Sequence, residues 1–318
     1  MTTKQAIQQI QKTFDISSIY AHRVFLSITK EDYLKQAAEI ISQKPKPFVK
    51  WVGGKRQLLQ QFRLLNLYPP ENFDPKTNSY FEPFVGGGAV FFDLLPEKAY
   101  LSDMNFELIA TYHTIKNNVE ELIQSLKKHK YNKEYFLNIR TLDFNTLPEL
   151  EIASRFIYLN RTCFNGMFRV NSKGQFNVPF GKYNNPIICD ESNLRKVSEV
   201  LKKVEIKCQD YKAILKKAKK GDFIYFDPPY YPLNKTSSFT SYTKDAFLDK
   251  EQLELRDTFL ELHKRGCFVM LSNSDTPFIN EIYSDHRGIK INKVKAGRAI
   301  NSKASGRGKI TEVLITNY

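Results

Sequence analysis

Long apolar segments are missing from this sequence. In its 318 residues, no apolar stretch approaches the length of roughly 20 residues that a membrane helix needs. The first residues, MTTKQAIQQIQ, contain no uninterrupted apolar run of the kind that a secretion signal has. We therefore predict a cytoplasmic protein with no membrane partner.

Cysteine is also scarce, with four residues in the whole chain. They are far apart and show no paired metal-ligand spacing: Cys163, Cys189, Cys208 and Cys267. This pattern argues against a zinc module or a disulfide framework and predicts reduced, packed thiols and no metal. The five histidines form no catalytic cluster, so we assign them no role.

Acidic residues are outnumbered, with 34 Asp and Glu against 48 Lys and Arg, which gives a formal charge of +14. A basic surface gains affinity for a polyanion by displacing counterions from phosphates. The excess therefore favours a nucleic-acid partner. Residues 1–44 hold six basic and four acidic side chains, so most of the positive charge lies further along the chain.

The first 44 residues are predicted to form a helical extension. Ile7, Ile10 and Phe14 recur at helical spacing, and Thr29 with Asp32 resembles a capping box before a second apolar helix. KPKP at 44–47 ends any helix. We favour a small helical cap over a helix-turn-helix, because little positive charge lies here.

From residue 48 onward, strands and helices alternate, which predicts a mainly parallel sheet covered on both faces. The candidate strands are Tyr80–Phe84, Ala99–Asp103, Val204–Lys207, Phe223–Asp227, Cys267–Ser272, Ile289–Val294 and Ile310–Thr316. The long helical stretch between the second and third strands is too long for a simple crossover. We predict a main α/β domain at 45–130 and 200–318, interrupted by a second, substrate-facing module at 131–199.

The stretch GDFIYFDPPYYPL at 221–233 ends a buried strand with a carboxylate, two prolines and two tyrosines. Taken alone, Asp227 could be a turn former, since aspartate and proline commonly follow strands. Alternatively, the rigid turn aims hydrogen-bond acceptors at a substrate. Other motifs decide between these interpretations.

Two motifs predict a cofactor that carries a nucleoside. FEPFVGGGAVFF at 81–92 is a strand that leads into a glycine loop and a helix, so backbone can approach a ligand closely. It does not match G-x-G-x-x-G, which disfavours dinucleotide binding. LSDMN at 101–105 puts Asp103 at the end of the next strand, where a carboxylate can hold a ribose diol.

FVKWVGGKRQLL at 48–59 suggests a phosphate loop but lacks its requirements. Val49 stands where that loop needs its first glycine, and Arg56 stands where Ser or Thr would bind magnesium. A purely structural interpretation remains, with Trp51 as a core anchor and Lys55 as a solvated charge at a helix start.

Together these motifs carry a resemblance. FVKWVGGKRQLL, FEPFVGGG, LSDMN, LNRTCFNGMFRVNSKGQFNVPFGKY and YFDPPY, in that order, resemble the Dam and DpnM type of adenine-N6 DNA methyltransferase in its α-group arrangement. The resemblance runs from about residue 46 to the C-terminus. It implies a Rossmann-like α/β sheet with a mainly helical recognition insertion, S-adenosyl-L-methionine as methyl donor and double-stranded DNA as substrate.

The resemblance also implies roles for particular residues. The expected catalytic residues are Asp227, Pro228 and Tyr230. The expected cofactor-binding residues are Trp51, Lys55, Glu82, Pro83, Phe84, Gly86, Asp103, Asp210, Phe226 and Asp227. The expected DNA-binding residues are Lys50, Phe164, Asn165, Met167, Arg169, Pro179, Lys182 and Tyr183.

In the recognition loop, Arg169 would read a guanine through its planar fork, and Phe164 and Met167 would wedge into the base stack. The alternative is that this segment is a solvated polar loop with no role in recognition. By resemblance the favoured site is GATC, with a related sequence containing GAT second.

Two further segments fit a DNA-facing role. Residues 234–247 follow the catalytic turn and could close over an extruded adenine, with Phe239 and Tyr242 shielding it. Residues 297–309 would present basic side chains to phosphates: Arg298, Lys303, Arg307 and Lys309. Each could instead be an ordinary surface loop.

Three rival functions stay open at this point: methylation of cytosine N4, methylation of adenine in RNA, and a non-catalytic DNA-binding module of the same fold. A cognate restriction endonuclease is a candidate partner. We expect a monomer or weak dimer. The biological role, the preference for hemimethylated sites and the role of residues 1–44 are not predicted.

Overall fold

A computed structural model describes residues 2–28, 33–51, 53–233, 247–297 and 309–318. The predicted capping box at Thr29 and Asp32 lies outside the described residues, as do nearly all of the two predicted DNA-facing segments, 234–246 and 298–308. In the described part of the chain, no helix is long and apolar enough to span a membrane.

Seven strands form one sheet. They are β1 (Tyr80–Glu82), β2 (Ala99–Asp103), β3 (Val204–Cys208), β4 (Phe223–Phe226), β5 (Phe268–Ser274), β6 (Lys290–Gly297) and β7 (Lys309–Thr316). The strand order is β3-β2-β1-β4-β5-β7-β6. β7 is antiparallel to both of its neighbours, while β1 to β5 are parallel. The predicted Rossmann-like α/β fold is confirmed.

The predicted strands are confirmed in number, but several ends differ. β1 and β4 stop at Glu82 and Phe226, before the residues predicted to end them. A proline follows closely in both cases, Pro83 and Pro228, and its missing N–H cannot join a ladder. β1 therefore ends just before the glycine loop, and β4 ends just before the turn that begins at Asp227.

Twelve α-helices surround the sheet in the described residues. They are α1 (Thr3–Phe14), α2 (Ser18–Leu26), α3 (Tyr33–Ser42), α4 (Arg56–Leu64), α5 (Ala89–Leu94), α6 (Phe106–Asn117), α7 (Val119–Lys127), α8 (Lys133–Thr141), α9 (Glu149–Thr162), α10 (Glu191–Leu201), α11 (Asp249–Lys264) and α12 (Pro277–Ser284). Short 3₁₀ segments lie at Phe144–Thr146, Phe164–Gly166 and Tyr211–Lys216.

The core has two layers because side chains alternate along each strand. On β4, Phe223 and Tyr225 pack into one apolar cluster, and Ile224 and Phe226 pack into the other. All four are fully buried. Such a run is hydrophobic throughout because helices cover both faces of a parallel sheet.

The N-terminal helices are joined to the sheet layer through Asp93 on α5. This carboxylate contacts Arg63 on α4 at 3.0 Å and Lys44 at 3.2 Å. Arg63 also contacts Asp15, between α1 and α2, at 2.7 Å. Since Arg63 and Asp93 are nearly buried, these ion pairs brace residues 1–44 against α4 and α5.

Residues 131–199 contain α8, α9, most of α10 and the polar loop between α9 and α10. α9 packs along α6, and Arg155 on α9 forms a buried ion pair with Glu107 on α6 at 2.6 Å. The predicted insertion therefore shares its core with a helix that directly follows β2. From this support the loop reaches the segment that precedes α4, where its Phe168 stacks on Trp51.

Candidate active site

Asp227 and Lys55 form a buried ion pair at the carboxyl end of β4. Asp227 directly follows the strand, and Lys55 is the N-cap residue of α4. Lys55 Nζ lies 2.8 Å from Asp227 Oδ1 and donates to the carbonyl of Gly53 at 2.6 Å. The interpretation of Lys55 as a solvated charge is wrong, because its side chain is 4% exposed.

Opposing influences act on the Asp227 carboxyl. Burial raises its pKa above the ordinary value, while the charge of Lys55 and its hydrogen bond lower it. Glu312 raises it further. Lys55 is therefore the group that favours the ionised, acceptor form of Asp227.

The turn that begins at Asp227 is held by two buried amides that sequence reasoning missed. Gln252 on α11 donates to the carbonyl of Pro229 at 3.1 Å and accepts from Asn273 on β5 at 2.9 Å. Asn273 in turn accepts the backbone N–H of Tyr231 at 3.0 Å. Both amides are fully buried, so they fix the turn from behind. No local pattern in the sequence marks them.

Tyr230 lies between Lys55 and a second carboxylate. Its ring centroid is 4.7 Å from Lys55 Nζ, and its hydroxyl donates to Glu312 Oε2 at 2.9 Å. Sequence reasoning also missed Glu312. The available signal was a lone charged residue inside the strand segment TEVLIT.

The glycine loop lies against Trp51. Gly86 has a φ of +45°, and a Cβ built there would be 2.5 Å from Trp51 Nε1. The backbone N–H of Gly86 donates to Asp103 Oδ2 at 3.1 Å. Burial raises the pKa of Asp103, while hydrogen bonds from the backbone of Asn105 and Gly86 oppose the rise. The end of β2 and the glycine loop therefore meet directly.

Residues 47–51 and 53–55 link the glycine loop to the turn that begins at Asp227. Trp51 packs against Gly86, and its ring also stacks on Phe168 of the polar loop at 5.9 Å and 16°. Lys55, four residues later, reaches Asp227. The separate sequence motifs thus converge at one edge of the sheet.

Glu82 and Pro83 are buried, and Glu82 has internal partners. It accepts hydrogen bonds from the Tyr80 hydroxyl at 2.9 Å and from the N–H of Phe91 at 3.0 Å. Burial raises its pKa to about 8, which these hydrogen bonds oppose. Glu82 therefore ties β1 to α5 around the glycine loop.

Phe84 and Phe226 contribute to an aromatic wall near the ends of β1 and β4. Phe84 stacks on Tyr211 with centroids 5.3 Å apart and meets Phe226 edge-on at 6.3 Å. Asp210 precedes Tyr211, is exposed, and accepts the N–H of Lys212 at 2.8 Å. A carboxylate beside aromatic faces is a suitable setting for a heteroaromatic ring.

Asn160 on α9 couples the polar loop to the Lys50 segment. It accepts the N–H of Lys50 at 2.8 Å and donates to the carbonyls of Lys50 at 2.8 Å and Gly166 at 3.0 Å. Lys50 Nζ lies 4.6 Å from the centroid of Tyr183. Tyr183 donates to the Cys163 carbonyl at 2.9 Å. This small network fixes the base of the loop.

The remaining residues predicted to bind DNA differ in exposure. Phe164 is 49% exposed, and Asn165, Pro179 and Lys182 are also exposed. Met167 is partly buried against the core. Arg169 is half-buried, and its Nε donates to Asn177 Oδ1 at 2.7 Å. That bond fixes one edge of the guanidinium group.

Comparisons with known proteins identify relatives of this chain. The family described as D12 class N6 adenine-specific DNA methyltransferase matches residues 51–300. The chain is 47% identical to the type II methyltransferase M1.LlaDCHI of Lactococcus lactis subsp. cremoris, over 86% of this chain and 95% of that protein. It is 45% identical to the type II methyltransferase M.MjaIII of Methanocaldococcus jannaschii, over 86% and 99%.

A DNA adenine methylase of Vibrio cholerae is 36% identical, over 86% of this chain and 96% of that protein. The family match spans most of the chain, and the relatives are matched over nearly their full length. The chain therefore belongs to the D12 class of N6 adenine-specific DNA methyltransferases.

Proposed function

We propose that this enzyme transfers a methyl group from S-adenosyl-L-methionine to adenine N6 in duplex DNA, with GATC as its site. One observation carries the proposal. Asp103 accepts the Gly86 N–H, Gly86 lies against Trp51, and Lys55, four residues after Trp51, forms an ion pair with Asp227. A cofactor cradle and an acceptor turn are therefore neighbours, as a direct transfer requires.

The residues present fit the proposed cofactor. Asp103 and Asp210 each use one or more oxygens for backbone N–H groups, and a carboxylate has further lone pairs that can accept hydroxyl or amino hydrogens. Phe84 and Tyr211 supply aromatic faces for an adenine ring. S-adenosyl-L-methionine carries its methyl group on a positively charged sulfur, which is already electrophilic.

The protein then has to prepare the amino group of the target adenine. The lone pair of that nitrogen is delocalised into the ring. In our proposal Asp227 and the carbonyl of Pro228 accept the two amino hydrogens, favour the geometry of attack and stabilise positive charge developing on nitrogen. As the nitrogen–carbon bond forms, the sulfur–methyl bond would break and S-adenosyl-L-homocysteine would leave, and the surplus proton on nitrogen would pass through Asp227 to water. The charge and hydrogen bond of Lys55 lower the pKa of Asp227 against the effect of burial and so favour the ionised form that this task needs. Tyr230 offers a face for the unstacked base.

We assign recognition of the duplex to the polar loop and Lys50. The exposed ring of Phe164 suits a wedge beside the extruded base better than Met167, which packs against the core. Because Asn177 holds Nε of Arg169, the guanidinium is pre-oriented for bidentate contact with guanine. Lys50 and Lys182 suit phosphates.

The rival chemistries are now less favoured. Membership of an N6 adenine-specific DNA family argues against cytosine N4, against RNA and against a non-catalytic module. Two relatives are named type II methyltransferases, which keeps a cognate restriction endonuclease as a proposed partner. Protection of the enzyme's methylated DNA from an endonuclease that cuts unmethylated GATC would support that pairing.

The direct test uses S-adenosyl-L-methionine with a labelled methyl group. Two duplexes of equal composition are compared, one with a single GATC and one with the same bases permuted. We expect label in the GATC duplex, recovered as N6-methyladenine after nucleoside analysis. Equal labelling of both duplexes would reject the specificity, and no labelling of either would reject the donor or the substrate.

Two variants separate chemistry from recognition. Asp227→Ala should abolish turnover while duplex affinity persists, because phosphate contacts are unchanged. Arg169→Ala should cost about 1–3 kcal/mol in discrimination at one base pair of the site. Full turnover in Asp227→Ala, or unchanged sequence preference in Arg169→Ala, would remove that residue from its proposed role.

A further inference from the structure

The sheet topology brings a second carboxylate to the catalytic turn. β7 runs antiparallel to β5, so its first half lies at the edge where the parallel strands end. Phe226 at the end of β4 pairs with Leu271 on β5, and Glu312 pairs with Ser274, further along the same strand. Glu312 therefore lies beyond the end of β4, beside the turn that follows it.

Glu312 has a rigid support. Its backbone pairs with Ser274 on β5 and with Val294 on β6, so β7 is flanked on both sides at this position. A residue on a central strand is held more precisely than one on a loop. The carboxylate thus projects from a fixed platform toward a turn that carries the substrate-facing groups.

The contact that Glu312 makes is specific. Its Oε2 accepts the Tyr230 hydroxyl at 2.9 Å, while Lys55 Nζ lies 4.7 Å from the Tyr230 ring centroid and 2.8 Å from Asp227. Burial, with the charges of Asp227 and Glu312, keeps the pKa of Tyr230 well above its ordinary value. The hydroxyl is therefore a stable donor to the carboxylate.

We propose that Glu312 is a positioning residue for methyl transfer. By holding the hydroxyl of Tyr230, it fixes the direction of the side chain and so the position of the ring on which the target adenine stacks. The hydrogen bond acts at the far end of the side chain from the backbone, where it limits displacement of the ring most. This inference rests on the proposed role of Tyr230. A stacked base that is misplaced loses alignment with the methyl group, which lowers the rate of the chemical step.

The test is a double-mutant cycle with Tyr230→Phe, which keeps the ring and removes the hydroxyl. The measured quantity is the single-turnover rate of methylation with labelled S-adenosyl-L-methionine and a saturating GATC duplex. Each single variant, Glu312→Ala and Tyr230→Phe, should slow that rate roughly 10- to 100-fold, the effect expected for a charge-assisted hydrogen bond. The double variant should lie within about twofold of the slower single variant, because both changes remove the same contact.

A conservative replacement and a binding measurement separate positioning from general stability. Glu312→Gln keeps an acceptor oxygen, so its rate should lie between those of the wild type and Glu312→Ala. Affinity for S-adenosyl-L-methionine, measured by equilibrium dialysis, should stay within about twofold in all variants. Glu205→Gln is the matched control: Glu205 lies on the edge strand β3 and pairs with Lys217, so its rate should equal that of the wild type.

If the rate reductions of the two single variants multiply in the double variant, the positioning role is overturned. A Glu312→Gln rate equal to that of Glu312→Ala would also overturn it. A parallel fall in cofactor affinity would also overturn it. If Glu312→Ala fails to fold, the cycle of Glu312→Gln with Tyr230→Phe carries the same test. A wild-type enzyme that labels no duplex would instead reject the proposed function, so the two failures are distinguishable.

Discussion

Lys55→Met tests the buried ion pair at the catalytic turn. Methionine keeps most of the aliphatic length and removes the charge, so Asp227 loses its partner. At 2.8 Å the attraction is about 6 kcal/mol for an effective dielectric constant near 20. The Asp227 side chain is 22% exposed, so solvent screens part of this energy. We expect the free energy of unfolding to fall by about 3 kcal/mol, measured by urea denaturation at neutral pH.

The same variant should acquire a characteristic pH dependence. Burial raises the folded-state pKa of Asp227, and without Lys55 nothing of comparable size opposes that rise. A carboxyl whose folded pKa exceeds its unfolded pKa favours folding in its protonated form. Stability is therefore lost as pH rises from the unfolded pKa through the folded pKa. The deficit of Lys55→Met relative to wild type should be larger at pH 8 than at pH 5.

The double variant Lys55→Met/Asp227→Asn provides the control. It removes both charges, so it should recover most of the stability that Lys55→Met loses, and its deficit should not grow with pH. A double variant as unstable as Lys55→Met would refute the reasoning. An equal deficit of Lys55→Met at pH 5 and pH 8 would also refute it.

Three further predictions concern the frame around the site. Burial raises the pKa of Glu82 to about 8, against 4.5 in an unfolded chain, so the stability of the wild type should fall as pH rises between those values. The stability of Glu82→Gln, measured by urea denaturation at pH 5 and pH 8, should fall less. Gly86→Ala should weaken binding of labelled S-adenosyl-L-methionine, because its Cβ would displace Trp51. Gly174→Ala, with a similar φ but open space, should bind normally, and equal affinities would contradict this explanation. Asp93→Asn should lower the unfolding free energy by about 2 kcal/mol through its ion pairs with α4 and the N-terminal segment, and an unchanged thermal midpoint would contradict it.

The strands could be predicted because their signals are local. Residues 223–226 are apolar throughout, which is typical of a strand covered on both faces. Pro228 follows closely and ends the strand because it has no N–H for the sheet. The glycine loop and Asp103 were both predicted to suit a cofactor that carries a nucleoside, and in the structure the N–H of Gly86 donates to Asp103. These relations depend on short segments and on a general rule of sheet geometry.

The burial of Lys55 could not be predicted in this way. A lysine at a helix start is usually solvated, and only the approach of the 47–55 segment to the end of β4 gives it a carboxylate partner. Asn160 and Gln252 are similar cases, since each bonds backbone that is distant in sequence. Their side-chain amides are common hydrogen-bonding groups, and only the folded chain shows which backbone groups they hold.

The sequence by itself determined that this chain forms a sheet with a glycine loop and an acidic turn at its carboxyl edge, because apolar alternation, glycine and proline act over a few residues. Only the tertiary structure decided which distant side chains complete that edge. The insertion of β7 between β5 and β6 brings Glu312 to Tyr230 across 82 residues. Such a contact depends on the order and direction of strands, which no local pattern specifies.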